Sequence, residues 1–162
     1  MSLHQFSQWL AATPASLTIQ THEWIVPAVQ SVHILAVAVV ISTSLMLDLR
    51  LVGALGRGQA IAAFWGRYLP WTFTALVVLL LTGAVMVTGE PGRSLENWVF
   101  WTKMATLLGA LAVTLAFAAP MLRTRDYWEH GARRTLARGL GAFAILLWFG
   151  VVICGRWIAY VL

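Results

Sequence analysis

Apolar residues run in four long blocks, at residues 24–47, 69–88, 98–121 and 140–160, separated by short polar stretches rich in arginine. About 20 residues at ~1.5 Å rise cross a hydrocarbon core about 30 Å thick, so each block is long enough for a membrane-spanning helix. The pattern predicts an all-α fold: a bundle of four transmembrane helices forming one integral membrane domain over residues 1–162, with no room for a separate soluble domain. Ahead of the first block, Leu3, Phe6, Trp9 and Leu10 alternate with Gln5, Ser7 and Gln8 at the spacing of a short amphipathic helix. Such a helix would lie on the membrane surface and end before Pro14. The polar stretch Met1 to Gln20, with His4, precedes a block too long for a signal-peptide core, so insertion without cleavage is expected.

Composition supports this reading, since 60% of the 162 residues are hydrophobic and only 10% are charged. Such a balance belongs to a membrane protein rather than to a water-soluble core. The formal charge of +5 is concentrated in two connections, the first with Arg50, Arg57 and Arg67, the third with Arg123, Arg125, Arg133, Arg134 and Arg138. The second connection has only Arg93 against Glu90 and Glu96. Positive loops stay in the cytoplasm, which predicts a multi-pass protein of the bacterial inner membrane with both termini in the periplasm. The charge is then a topology signal with lipid as its partner, and no nucleic acid is implied.

Tryptophans mark the same limits, with Trp24, Trp98, Trp101 and Trp157 at one interface and Trp65, Trp71 and Trp128 at the other. Trp148 falls well inside the fourth block, where packing on a neighbour or on a flat cofactor is expected. Pro70 is read as a first-turn proline of the second span, Ser94 with Glu96 as a cap before the third, and Gly89, Pro91 and Gly92 as a tight turn. Gly139, Gly141, Gly150 and Gly155 would let the fourth helix approach another closely.

Among the histidines only His33 lies within an apolar block, and an ionisable group there implies a partner or a ligand. At 100° per residue Gln30, His33, Ser44 and Asp48 share an arc of roughly 60°, a polar seam facing the bundle interior. Asp48 is either part of a proton path below His33 or one half of a structural ion pair with Arg57, Arg123 or Arg125, while Arg50 points elsewhere, toward lipid headgroups or the third connection. Lys103, Thr106, Ala110 and Thr114 form a comparable stripe on the third span. The Lys103 ammonium either snorkels to the surface or turns inward to hold an anionic group such as a haem propionate, a quinone oxygen or Glu23. Met86, Met104 and Cys154 are soft groups in the same half of the chain's spans, suited to copper or haem iron. The lone cysteine excludes a disulfide framework, and no CxxC or HExxH spacing suggests zinc.

The segments HILAVAVVISTSLMLDLRLVG from His33 to Gly53, LPW from Leu69 to Trp71 and NWVFWTKMATLLGALAV from Asn97 to Val113 resemble a small bacterial family of four-helix membrane proteins without assigned activity. They are more distantly similar to copper resistance D and cytochrome b561-like bundles. The positions that carry the resemblance are His33, Asp48, Arg50 and Gly53, with Asn97, Phe100 and Lys103. The distant relatives imply haem b binding or copper handling. Those bundles hold haem between histidines on different helices, whereas one helix offers one here. The second ligand would have to be Met104, the His33 of a second copy, or a residue of another subunit.

Three classes of function follow. In the first, an electron-transfer subunit binds haem b or a quinone at His33, with Lys103 and Arg156 holding anionic groups and Trp148 packed on the ring. In the second, a non-catalytic accessory subunit docks through its glycine-rich helix on a larger complex. In the third, copper or protons are handled by His33, Met86, Met104 and Cys154. All three suit a homo-oligomer or a larger membrane complex better than a stand-alone enzyme, and no residue is assigned a catalytic role.

Overall fold

The computed structural model describes residues 2–158, Tyr160 and Val161. Among the described residues there are seven helices and no strand: α1 (Leu3–Ala11), α2 (Pro14–Thr21), α3 (Ile25–Val52), α4 (Ile61–Gly89), α5 (Pro91–Leu95), α6 (Trp98–Met121) and α7 (Gly131–Trp157). Four of them, α3, α4, α6 and α7, are long and apolar enough to cross a membrane. Their outward faces carry Ile34, Leu80, Leu108 and Leu146 at 60–73% exposure. Large aliphatic side chains presented outward at mid-helix on all four helices are stable only against lipid, so the chain is a multi-pass membrane protein.

α3 packs against α4 and α7, and α6 packs against α7. The α3–α7 contact is close because Gly141 lacks a side chain: a Cβ there would lie 2.9 Å from the Leu51 Cβ and 3.2 Å from the Asp48 carbonyl oxygen. Gly150 lets α6 approach in the same way, with the Thr106 methyl 3.1 Å from its would-be Cβ. Two of the four α7 glycines, Gly141 and Gly150, are therefore used within the chain. α4 and α6 are bridged by bulk, the Trp65 and Phe117 rings lying 5.9 Å apart.

Several local expectations are corrected. Pro70 is inside α4, not at its start, because the helix begins at Ile61 and buries Ile61, Phe64 and Trp65 in the core. Trp65 and Trp128 are core residues rather than interfacial ones; the Trp128 indole N–H donates to the Phe117 carbonyl at 3.1 Å. Trp24, Trp71, Trp98, Trp101 and Trp157 are exposed, as the interfacial reading requires. The turn at 89–92 instead opens the short helix α5, and the cap of α6 is Asn97, whose side chain accepts from the Val99 N–H at 2.9 Å.

The surface helix stops at Ala11 as expected, but a second helix follows, starting on Pro14 with Thr13 as its cap. Both close over one end of the bundle. The Ser16 hydroxyl donates to the Thr88 carbonyl at 2.7 Å, and Ile19 sits against the bare Gly89. α1 is held to the α5–α6 junction by Glu96, which accepts from the Ser7 hydroxyl and lies 3.1 Å from His4 Nδ1 through each carboxylate oxygen. These two partners hold the Glu96 carboxyl below the usual glutamate range. A depressed folded pKa stabilises the docked state fully above the unfolded value of about 4.3, and this contribution is lost as pH falls through the lower, folded value. Protection factors of the α1 amides against hydrogen exchange, taken relative to the intrinsic rate at each pH, should accordingly hold at pH 5 and fall below about pH 4, a step that Glu96→Gln should remove. Protection factors that stay constant across this range in the unmodified chain would exclude Glu96 as the clasp.

Candidate functional site

Val40 of α3, Ala75 of α4, Ala110 of α6 and Trp148 of α7 pack together as one core layer. Seven residues toward the N-terminal face on each helix, about 10 Å by the helical rise, stand His33, Thr82, Lys103 and Gly155. Two helical turns preserve the facing direction, so these four positions form a second, polar layer.

The contacts agree. His33 Nδ1 lies 2.8 Å from the Thr82 hydroxyl oxygen, and a Cβ on Gly83 would touch the imidazole Cε1 at 3.7 Å. Across the bundle, a Cβ on Gly155 would meet the Lys103 Cε and Nζ at 3.7 Å. Lys103 therefore turns toward α7, and among the described residues neither Glu23 nor any other carboxylate pairs with it.

The Thr82 hydroxyl fixes the state of the imidazole. Its one hydrogen goes to the Val78 carbonyl at 2.7 Å, the back-bond threonines make within helices. The hydroxyl oxygen then accepts, and His33 Nδ1 must carry the hydrogen. Assigned from this network, the neutral ring keeps its lone pair on Nε2. A ring N–H anchored to a protein oxygen with the other nitrogen open is the arrangement metal-ligating histidines adopt, and equally that of a base.

The other expected site residues are spread more widely. Trp148 is buried one layer below, its indole N–H without a partner among the described residues. Met104 and Cys154 each stand one residue from the layer positions, beside Lys103 and Gly155, and Met86 one turn beyond Thr82. Arg156 is exposed, its guanidinium 5.1 Å from the Tyr160 ring centroid. Gln30 is exposed, so the seam narrows to His33, Ser44 and Asp48. No group of three His, Cys, Asp or Glu residues able to hold a metal occurs among the described residues.

Asp48 and Ser44 are buried 22 Å and 16 Å along α3 from His33 by a rise of about 1.5 Å, and both Asp48 Oδ2 and Ser44 Oγ lack a partner among the described residues. Among the described residues Asp48 forms no ion pair with Arg57, Arg123 or Arg125, and the Arg57 guanidinium folds back on the Gly53 carbonyl. Arg50, expected toward the headgroups or the third connection, takes the second course: it is 2% exposed, donates to the Gln59 carbonyl and lies 3.8 Å from the carboxylate of Glu129 in that connection. Thr82 and Glu129 were not among the expected residues. A threonine in an otherwise aliphatic run was the available signal for Thr82; nothing local marked Glu129.

A family model described as a family of unknown function matches residues 15–161. No curated protein and no solved structure matches the chain.

Proposed function

The chain belongs to that family, DUF6644, whose description assigns no activity, and from its own residues we propose an electron-transfer subunit in which His33 Nε2 ligates the iron of a haem b. The observation that carries this reading is the Thr82 hydrogen bond, which orients the imidazole and leaves Nε2 open. Lys103, without a carboxylate partner in the same layer, suits a propionate, and Gly83 and Gly155 leave the layer free of bulk on two helices. Trp148 lies one layer below, where a ring would rest. Arg156, next to Gly155 in the chain, is exposed and directed at the Tyr160 ring, and so does not join them. With His33 the one histidine in the four apolar blocks, the second ligand would be water, Met86 or Met104, or the His33 of a second copy. The excess of arginine in the first and third connections supports a cytoplasmic position for that face and a periplasmic one for the His33 layer, in a bacterial inner membrane.

A quinol is the second reading, favoured by the half-exposed position of His33 beside lipid-facing Ile34 and Leu35. Its hydroxyl would donate to Nε2. A copper centre gains less, since its soft ligands stand outside the layer, and the accessory reading loses the glycines that already join α7 to α3 and α6.

Protein purified in mild detergent from cells with ample haem should show reduced-minus-oxidised α and Soret bands. His33→Ala should abolish them, and Thr82→Val should weaken binding about 10- to 100-fold, the usual effect of losing the partner that orients a ligand. A colourless preparation that takes up no added haem, yet protects His33 on addition of a quinol, would replace the first reading by the second.

A further inference from the structure

The end of α3 opposite the His33 layer gathers four guanidinium groups. Arg50 is directed at the Gln59 carbonyl and Glu129, and Arg57 at the Gly53 carbonyl. Arg134 and Arg138, one turn apart on α7, lie against the same glycine: a Cβ on Gly53 would come 3.3 Å from Arg134 Nη2 and 3.9 Å from Arg138 Nε. The Arg134 charge also bears on Arg50. Against these four cations stands one carboxylate, Glu129, and its Oε1 already accepts the Ile61 N–H at 2.7 Å. Among the described residues Arg134 and Arg138 have no ion pair, and Arg134 Nη1 is buried with no hydrogen-bond partner.

Cations drawn together without an internal counter-charge call for an external anion, and planar guanidinium forks match the oxygens of a phosphate. The cluster sits just past Val52, where α3 leaves its apolar run, at the depth of lipid headgroups. Leu55, two residues past Gly53, is exposed beside it, as an acyl chain would need. We propose that Arg57, Arg134 and Arg138 around Gly53 form a binding site for the phosphate of an anionic phospholipid. The bound lipid ties the end of α3 to the start of α7, and the site is independent of whatever His33 holds.

The full chain should be reconstituted in nanodiscs of phosphatidylcholine, with and without phosphatidylglycerol, and its thermal unfolding followed. Phosphatidylglycerol is expected to raise the midpoint by roughly 2–4 °C or more. The double variant Arg134→Gln/Arg138→Gln should unfold as the unmodified chain does in pure phosphatidylcholine and lose the rise. Arg123→Gln/Arg125→Gln removes the same charge from the same face outside the cluster and should keep it. Inorganic phosphate added to phosphatidylcholine discs separates the sources: a matching rise, lost in the double variant, would transfer the site to a free phosphate and overturn the lipid as occupant. No rise with phosphatidylglycerol, or equal loss in both double variants, would reduce the cluster to diffuse surface charge and overturn the site.

Discussion

Gly141→Ala is expected to destabilise the bundle while Gly139→Ala, two residues away, stabilises it. At Gly139 nothing lies within 4 Å of a new Cβ, so the substitution should gain up to about 1 kcal/mol of helix propensity. At Gly141 the same methyl would stand 2.9 Å from the Leu51 Cβ and 3.2 Å from the Asp48 carbonyl. One neighbour is backbone and the other a Cβ, so neither yields by a rotamer change. α7 must move off α3, at a cost of about 1–3 kcal/mol that exceeds the propensity gain. Gly141→Leu should exceed that cost and prevent assembly. Unfolding in detergent followed by far-ultraviolet circular dichroism measures both; equal midpoints for Gly141→Ala and Gly139→Ala would show that α3 and α7 are not in such close contact.

This contact shows what could be read ahead of the structure and what could not. Hydropathy alone located the four spanning helices, because lipid leaves each of them apolar all round and length does the rest. The same property hides which face is inward. Ile34 and Leu80 look no different in sequence from Val40 and Ala75, yet the first two meet lipid and the last two the core. Polar residues broke this degeneracy where they occurred: His33, Ser44 and Asp48 marked the interior of α3, and Lys103 and Thr114 that of α6. Gln30 failed as a marker because it lies near the headgroups, where either face is tolerated. Helix ends were less legible for a related reason. α4 and α7 extend beyond their apolar blocks on the arginine-rich side, at Ile61 and Gly131, since amphipathic turns outside the hydrocarbon leave no trace in a hydropathy window.

Pairings between distant segments were invisible for a different reason. The heptad register that aligns His33 with Thr82, Lys103 and Gly155 depends on how far each helix slides against the next, and loop length does not fix that slide. The stripe left Lys103 either snorkelling or turned inward, and the hydroxyl beside the imidazole was not readable at all. Asp48 was correctly placed on the inward face, but a pairing with a nearby arginine was the natural expectation and does not occur. Asp48 Oδ2 and the Ser44 hydroxyl lie buried without partners among the described residues, while the arginine two residues on is drawn into a separate cluster.

That cluster leads to the second large effect. Arg50→Met is expected to cost about 3–5 kcal/mol, the range for removing one partner of a buried charge pair. Arg50 stabilises three segments together: it caps the Gln59 carbonyl ahead of α4 and faces Glu129 from the α6–α7 connection. Glu129 in turn accepts the Ile61 N–H, acting as the cap that Ala60 cannot supply from its own side chain. Removing the guanidinium leaves the Gln59 carbonyl without its donor and the partly buried Glu129 carboxylate without its cation. Glu129→Gln keeps an acceptor for the Ile61 N–H and should cost less. If the loss in Arg50→Met is chiefly the stranded charge of Glu129, adding Glu129→Gln to it should restore about 1–2 kcal/mol, a coupling within the range seen for residues in contact. The four midpoints of this cycle decide the matter: strictly additive losses would mean that the Gln59 carbonyl, and not Glu129, is the partner that makes burial of Arg50 tolerable.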